Sequence, residues 1–391
     1  TFMHVPNYAR LGVYILHGAD DDNVPATEAR SMVEAMSAAH GEYVYHEQPG
    51  VGHWWDLSPA PGTDCVDWAP MFDFFARHIQ PGRKSMREVH FMTSNPGVSS
   101  KCNWLAIDAQ ERQLEMSSAD FRLDRGDMRD FTPARLSGVT SNVSRIAFDL
   151  EVFGAVRPDT VERAGQRLGG AALSRGGARL WFERRAGRWA VAHEPSPDLK
   201  GARRYGTFKE AFRNRPVFVF GTKGTREENE WAFGKARFDA EKLWYQGNGS
   251  IDVVRDVDFD PSVDRDRNVV LYGNGNTNAA WKALLGESPV QVGKGRIRVG
   301  ARKLSGADLG CVFIRPRPGS ATASVAAVSG TGVAGMRLAN RLPYLSPGIG
   351  LPDFTVFDSR VLAAGDAGVA ATGFFGVDWS VESGEFVWNV R

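Results

Sequence analysis

"YILHGADDDNVP", Tyr14 to Pro25, is the stretch on which the fold of this 391-residue chain turns. An apolar, β-type run stops at His17-Gly18, three aspartates follow, and Val24-Pro25 opens a segment with helical spacing. A solvated turn accounts for Asp and Asn here, because short polar side chains satisfy nearby backbone donors. The sharper reading is that one of these carboxylates, at the end of a buried strand, orients a catalytic histidine.

Outward from this junction, the first eighty or so residues read as strand, helix, strand, helix. Val13 to Leu16 is a short apolar run of the kind found in a parallel sheet covered on both faces. Ala29, Met32, Val33, Met36 and Ala39 recur at helical spacing, and Gly41 supplies a stop. Tyr43 to Tyr45 returns to β character and runs into "GVGHWWD". After a Pro/Gly-rich loop, Asp67 to Ile79 reads as a helix burying Met71, Phe74, Phe75 and Ile79. Two βα units place Asp21 and His53 just past successive strands, at the carboxyl edge where open α/β sheets bind ligands.

These residues resemble the C-terminal end of the α/β-hydrolase catalytic domain of the prolyl oligopeptidase family. The match is carried by His17-Gly18, by Asp21-Asp22-Asn23-Val24 and, further on, by Gly52-His53. The resemblance implies that Asp21 orients the catalytic histidine and that His53 is the general base of a Ser-Asp-His triad acting on a peptide or ester. The chemistry needs both: a serine hydroxyl is a weak nucleophile until an imidazole removes its proton, and a carboxylate on the other ring nitrogen fixes the tautomer. The competing expectation packs His53 among Trp54 and Trp55 and leaves Asp21 as a cap shared with Asp20 and Asp22.

The nucleophile is the missing member. In this fold the order is Ser, Asp, His, with the serine on a GxSxG elbow, and no GxSxG occurs in the chain. "ALSRG", with Ser174, follows His53 and lies in a Gly/Arg-rich stretch, so it is a poor substitute. The chain opens without an initiator Met and enters a strand almost at once. The expectation is therefore that the serine, the oxyanion donors and most of the sheet lie upstream of Thr1, and that this chain alone is inactive. An unpaired strand edge left by that arrangement predicts self-association.

Three regions follow from composition and periodicity: residues 1–82 as the C-terminal part of an incomplete α/β-hydrolase domain, 83–204 as a small β-rich module, and 205–391 as a second α/β domain. In the middle region, "EVHFMT", "NWLAIDA", "ADFRLD" and "VSRIAFDL" read as strands, and "ARLWFERRAGRWAVAHE" as a hairpin turning at Ala186-Gly187. Trp104, Trp181 and Trp189 read as core. In the third, "RPVFVFGTKGT", "RNVVLYGNGNTNAAWKALL" and "ASVAAVSGTGVAGMRLANRL" each run from an apolar strand through a glycine turn into a helix, which predicts a mostly parallel sheet.

Of those turns, Gly330 to Gly335 matches GxGxxG, with Asp358 at a fitting distance, but it stands near the end of its domain instead of opening it. Thr225 and Glu228 form a capping-box pattern, and the acidic first turn of that helix already complements its dipole. All three turns read as structural, on what is the ligand-binding edge of their sheet, so no cofactor is expected.

Composition narrows the partners. With 47 basic against 46 acidic residues the net charge is +1, which supplies no field for nucleic acid or an anionic membrane surface. Cys65, Cys102 and Cys311 are far apart, so no metal knuckle or disulfide framework is suggested. No apolar run reaches the roughly 18 residues of a spanning helix. Localisation is not legible. A second function class stays open beside the hydrolase: a non-catalytic binding or interaction module centred on the second α/β domain.

Overall fold

The computed structural model describes residues 2–124, 134–153, 158–163, 166–169 and 178–389. The chain divides into two compact units, Thr1–Glu194 and Pro195–Arg391. Ser174 lies outside the described residues.

The first unit begins with a 3-10 helix at Phe2–Tyr8, then β1 (Val13–Gly18), α1 (Ala26–Ser37), β2 (Tyr43–Gln48) and α2 (Ala69–Arg77). β1 and β2 pair in parallel, with Val13 opposite Tyr43 and Gly18 opposite Gln48. Parallel neighbours need a crossover, and α1 supplies it, burying Ala26, Ala29 and Met36. Among the described residues this sheet has two strands only, and Val13 to His17 are half-buried, not enclosed on both faces. α2 also departs from expectation. Phe74 is buried against Tyr14, whereas Phe75 and Ile79 stand exposed, Ile79 beyond the helix end.

The rest of this unit is a pair of five-stranded sheets. Its strands are β3 (Glu88–Thr93), β4 (Lys101–Cys102), β5 (Leu105–Ala109), β6 (Ser117–Asp124), β7 (Ala134–Ser141), β8 (Arg145–Asp149), β9 (Pro158–Arg163), β10 (Gln166–Gly169), β11 (Arg179–Arg185) and β12 (Arg188–Ala192). They run in the orders β10-β9-β7-β6-β3 and β12-β11-β8-β5-β4. Alternation sets the packing. Val89, Phe91, Phe121 and Leu136 from one sheet share a core with Leu105, Ile107, Ile146, Phe148 and Phe182 from the other. Trp104 and Trp189 belong to that core, and Trp181 is buried on the opposite face of its sheet. The hairpin turns where the sequence places it: Ala186 and Gly187 both have positive φ, the type I′ geometry that suits strand twist.

The second unit carries an eight-stranded sheet made of β13 (Val217–Phe220), β14 (Asp252–Arg255), β15 (Val269–Tyr272), β19 (Gly310–Pro316), β20 (Ser324–Gly330), β21 (Phe354–Phe357), β22 (Val369–Phe374) and β23 (Glu385–Trp388). Its order is β14-β13-β15-β20-β19-β21-β22-β23. The first four are parallel and the remainder join antiparallel, so the sheet is mixed where the sequence reading has it mostly parallel. Connection length decides this. Residues 317–323 are too few to hold a crossover of a dozen or so residues, so β19 and β20 form a hairpin. A separate meander of β16 (Val290–Gly293), β17 (Arg296–Val299) and β18 (Arg302–Ser305), absent from the sequence reading, adds Val290, Val292, Ile297 and Val299 to the core. α3 (Arg226–Gly247) starts with the complete Thr225/Glu228 capping box and ends at Asn248 in the left-handed region. α4 (Trp281–Leu285), α5 (Val333–Leu338) and α6 (Val361–Ala364) are short. Unit 2 begins before position 205, the sequence-drawn boundary, because Lys200 and Arg204 are anchored in it, on Asp353 and on the carbonyls of Ser320 and Ala323.

Among the described residues no helix is long and apolar enough to cross a membrane, and no three His, Cys, Asp or Glu side chains gather to hold a metal.

Candidate active site

The site is built by two strand ends brought into register. β1 stops at Gly18 and β2 at Gln48, and the chain leaving each is tied to the other: the Ala19 amide donates to the Gln48 carbonyl and the Asp20 amide to the Val51 carbonyl, both at 2.9 Å. The approach is so close that a Cβ on Gly18 would stand 2.2 Å from the Gly52 carbonyl oxygen. Only glycine fits there, which gives the His17-Gly18 pair a physical reason. The contact delivers His53 to Asp21.

Asp21 Oδ2 stands 2.8 Å from His53 Nδ1. Oδ1 accepts from the backbone amides of Asn23, at 2.9 Å, and Val24, at 2.8 Å. The two sequence readings of Asp21, turn-former and histidine partner, thus hold together, one oxygen for each. Its side chain is 4 % exposed. Desolvation pushes the carboxyl up, but the Val24 amide, the His53 ring and the Asn23 amide together outweigh it and hold the group below its ordinary value. Asp20 and Asp22 are exposed, and α1 begins after Pro25 with no side-chain cap, so neither shares the role.

The His53 ring lies edge-to-face with Trp54, centroids 5.1 Å apart, while Trp55 is buried elsewhere in the loop. The imidazole is 35 % exposed. Nδ1 is committed to Asp21, and Nε2 meets no hydrogen-bond partner among the described residues. A ring held this way can accept a proton at Nε2 while the carboxylate stabilises the resulting imidazolium.

Sequence reasoning missed one neighbour. His17 Nε2 lies 2.8 Å from the Val24 carbonyl and 3.5 Å from Asp21 Oδ2, so the carboxylate sits between two imidazoles. The signal was available in the spacing, since His17 precedes Asp21 by four residues across the turn. Behind the site, Arg30 of α1 clamps Glu47 with bonds of 2.9 and 2.5 Å, and Tyr45 donates to the same carboxylate. These two donors hold Glu47 down at about 2.

A second histidine–carboxylate contact, His90 Nδ1 with Asp120, sits on adjacent strands of the sandwich, where burial pushes the histidine down. It lacks the strand-end setting and the amide-held carboxylate of Asp21.

The glycine turns of the second unit are filled by protein. The Lys223 amide donates to the Thr277 carbonyl at 3.0 Å, and a Cβ on Gly221 would meet that oxygen at 2.5 Å, so main chain closes the gap between the turns after β13 and β15. In the GxGxxG match, a Cβ on Gly335 would stand 2.1 Å from the Leu309 carbonyl oxygen. These glycines admit neighbouring backbone.

No family model matches the chain. It is similar to an uncharacterized secreted protein of Arthroderma benhamiae, 24% identical over 405 aligned residues, an alignment that takes in 98% of this chain and 40% of that protein. The chain therefore spans about 40% of the length of the curated relative it matches.

Proposed function

We propose that Asp21 and His53 are the orienting acid and general base of a prolyl oligopeptidase-like serine hydrolase acting on peptides or esters, with the nucleophilic serine supplied from outside these 391 residues. The observation that carries this reading is the divided carboxylate of Asp21: Oδ1 held by two amides, Oδ2 at 2.8 Å from His53 Nδ1, at the carboxyl ends of two parallel strands. The serine proton passes to Nε2 as the hydroxyl attacks, and the same nitrogen returns a proton to the leaving group. On this reading β1, α1, β2 and α2 are the closing part of an α/β-hydrolase sheet, and β1's free edge receives a further strand. The length of the relative leaves room for that additional sequence.

The test is fluorophosphonate labelling and hydrolysis of p-nitrophenyl esters and peptide anilides, on this chain and on a longer product of the same coding sequence. The longer protein labels on a serine upstream of Thr1 and loses nearly all turnover with His53→Ala, whereas the 391-residue chain neither labels nor turns over. Activity of the shorter chain that depends on His53 places the nucleophile within it and overturns the assignment.

A further inference from the structure

The mechanism above leaves His17 unused, yet its ring is 13 % exposed and packed against the turn that holds Asp21. The Val24 carbonyl can only accept, so the 2.8 Å contact requires a proton on His17 Nε2. The same nitrogen lies 3.5 Å from Asp21 Oδ2, near it but without a hydrogen bond to it. The contacts form a chain: His17 Nε2 to the Val24 carbonyl, the Val24 amide to Asp21 Oδ1, and Asp21 Oδ2 to His53 Nδ1. Glu47 lies opposite His17 on the neighbouring strand and is already committed to Arg30 and Tyr45. His17 thus acts on Asp21 through the Val24 carbonyl, the one group to which its Nε2–H donates.

We propose that His17 is a positioning residue for Asp21, its Nε2–H pinning the Val24 carbonyl so that the carboxylate stays turned toward His53. The turn from Asp21 to Val24 has no helix cap behind it, since Pro25 makes no side-chain bond to the first turn of α1. Without His17, the Val24 carbonyl is released, and the two amides that fix Oδ1 can swing away with it. The role needs a donor at the position of Nε2 and nothing else of the imidazole. Glutamine supplies such a donor and leucine does not.

This inference rests on reading Asp21 and His53 as an acid–base pair, but its first test needs no catalysis. In the wild-type chain, nitrogen NMR of the imidazoles finds neutral His17 protonated at Nε2, and the His53 Nδ1 proton gives a downfield resonance protected from exchange. His17→Gln keeps that resonance and His17→Leu broadens or loses it, with the melting transition retained in both. Two results overturn the proposal: wild-type His17 protonated at Nδ1, which needs no variant to fold, or an unchanged His53 resonance in His17→Leu. In a longer protein with turnover, His17→Leu lowers kcat by about 10- to 100-fold with KM nearly unchanged, the range expected when a reacting group is slightly misplaced, and His17→Gln restores it. Were the hydrolase reading wrong, turnover would be absent or indifferent to His53, while the NMR result would stand.

Discussion

Asp21 gives one carboxylate oxygen to its own turn and the other to His53, and neither oxygen is left to rotate. Asp21→Asn separates these duties. The amide oxygen still accepts from Asn23 and Val24, but the NH2 group now faces Nδ1 and forces the wrong tautomer. In a protein that contains the nucleophile, kcat is expected to fall by about 10⁴-fold with KM little changed. Steady-state kinetics check this, and a loss under about tenfold removes Asp21 from the role.

The exposed apolar surface of the first unit forecasts association. β1 pairs with β2 alone among the described residues, and Val44 of β2 and Phe72, Phe75 and Ile79 around α2 are exposed. Open edges beside apolar surface recruit other chains. Sedimentation of the 391-residue chain is expected to show concentration-dependent association, reduced by Val44→Lys without a shift in melting. Concentration-independent monomers exclude it.

Glycine packing in the second unit yields a stability forecast. A Cβ on Gly335 meets the Leu309 carbonyl oxygen, which is backbone and cannot step aside. Gly335→Ala is expected to destabilise this unit by about 1–3 kcal/mol, the usual cost of overpacking. Denaturant unfolding reads it. Were the pattern a dinucleotide site, the variant would fold normally and lose a ligand instead.

What could be read from sequence was local. Thr225 and Glu228 are a cap whatever surrounds them, Ala186-Gly187 meets the φ demand of a tight hairpin, and the spacing from His17 to Asp21 to His53 follows from two strand ends in register. Strand direction was not local. The apolar runs at β19, β21 and β22 fit either orientation, and the connections decided it. The β16–β18 meander escapes because each strand is only four residues long and β17 and β18 carry Arg and Lys on their exposed positions, so one or two apolar residues per strand are all that mark it. Helical spacing places Phe75 and Ile79 on a buried face because apolar periodicity reports a face that wants cover, not one that has it.

Acid should loosen the first unit through Glu47. Held at about 2 by Arg30 and Tyr45, against an ordinary value of 4.5, this carboxylate has a depressed folded value. Its contribution is complete above the ordinary value and is lost as pH falls from there toward about 2. Glu47→Gln removes the linkage, so melting temperatures measured from pH 6 to 2 should fall less steeply for the variant across the acid half of that window. Parallel curves for the two proteins contradict the clamp.

The last forecast concerns a buried ion pair. Asp239 of α3 accepts from Lys235 Nζ at 2.5 Å through Oδ1, and from Tyr272 at 3.0 Å and Tyr344 at 2.5 Å through Oδ2. Lys235 and Asp239 are 5 % and 1 % exposed. Burial pushes the ammonium down, Asp239 opposes that, and the Tyr344 ring lies 4.7 Å from Nζ. Removing one charge from such a pair leaves the other desolvated and unpaired, which costs about 3–5 kcal/mol, whereas removing both is often nearly neutral. Asp239→Asn is therefore expected to destabilise the second unit by about that amount. Adding Lys235→Met should recover more than half of the loss, because the stranded charge is gone and the asparagine oxygen still accepts from a tyrosine. Denaturant unfolding of the two variants against wild type decides it. A double variant no more stable than Asp239→Asn alone shows that the cost lies in the tyrosine hydrogen bonds instead of the charge.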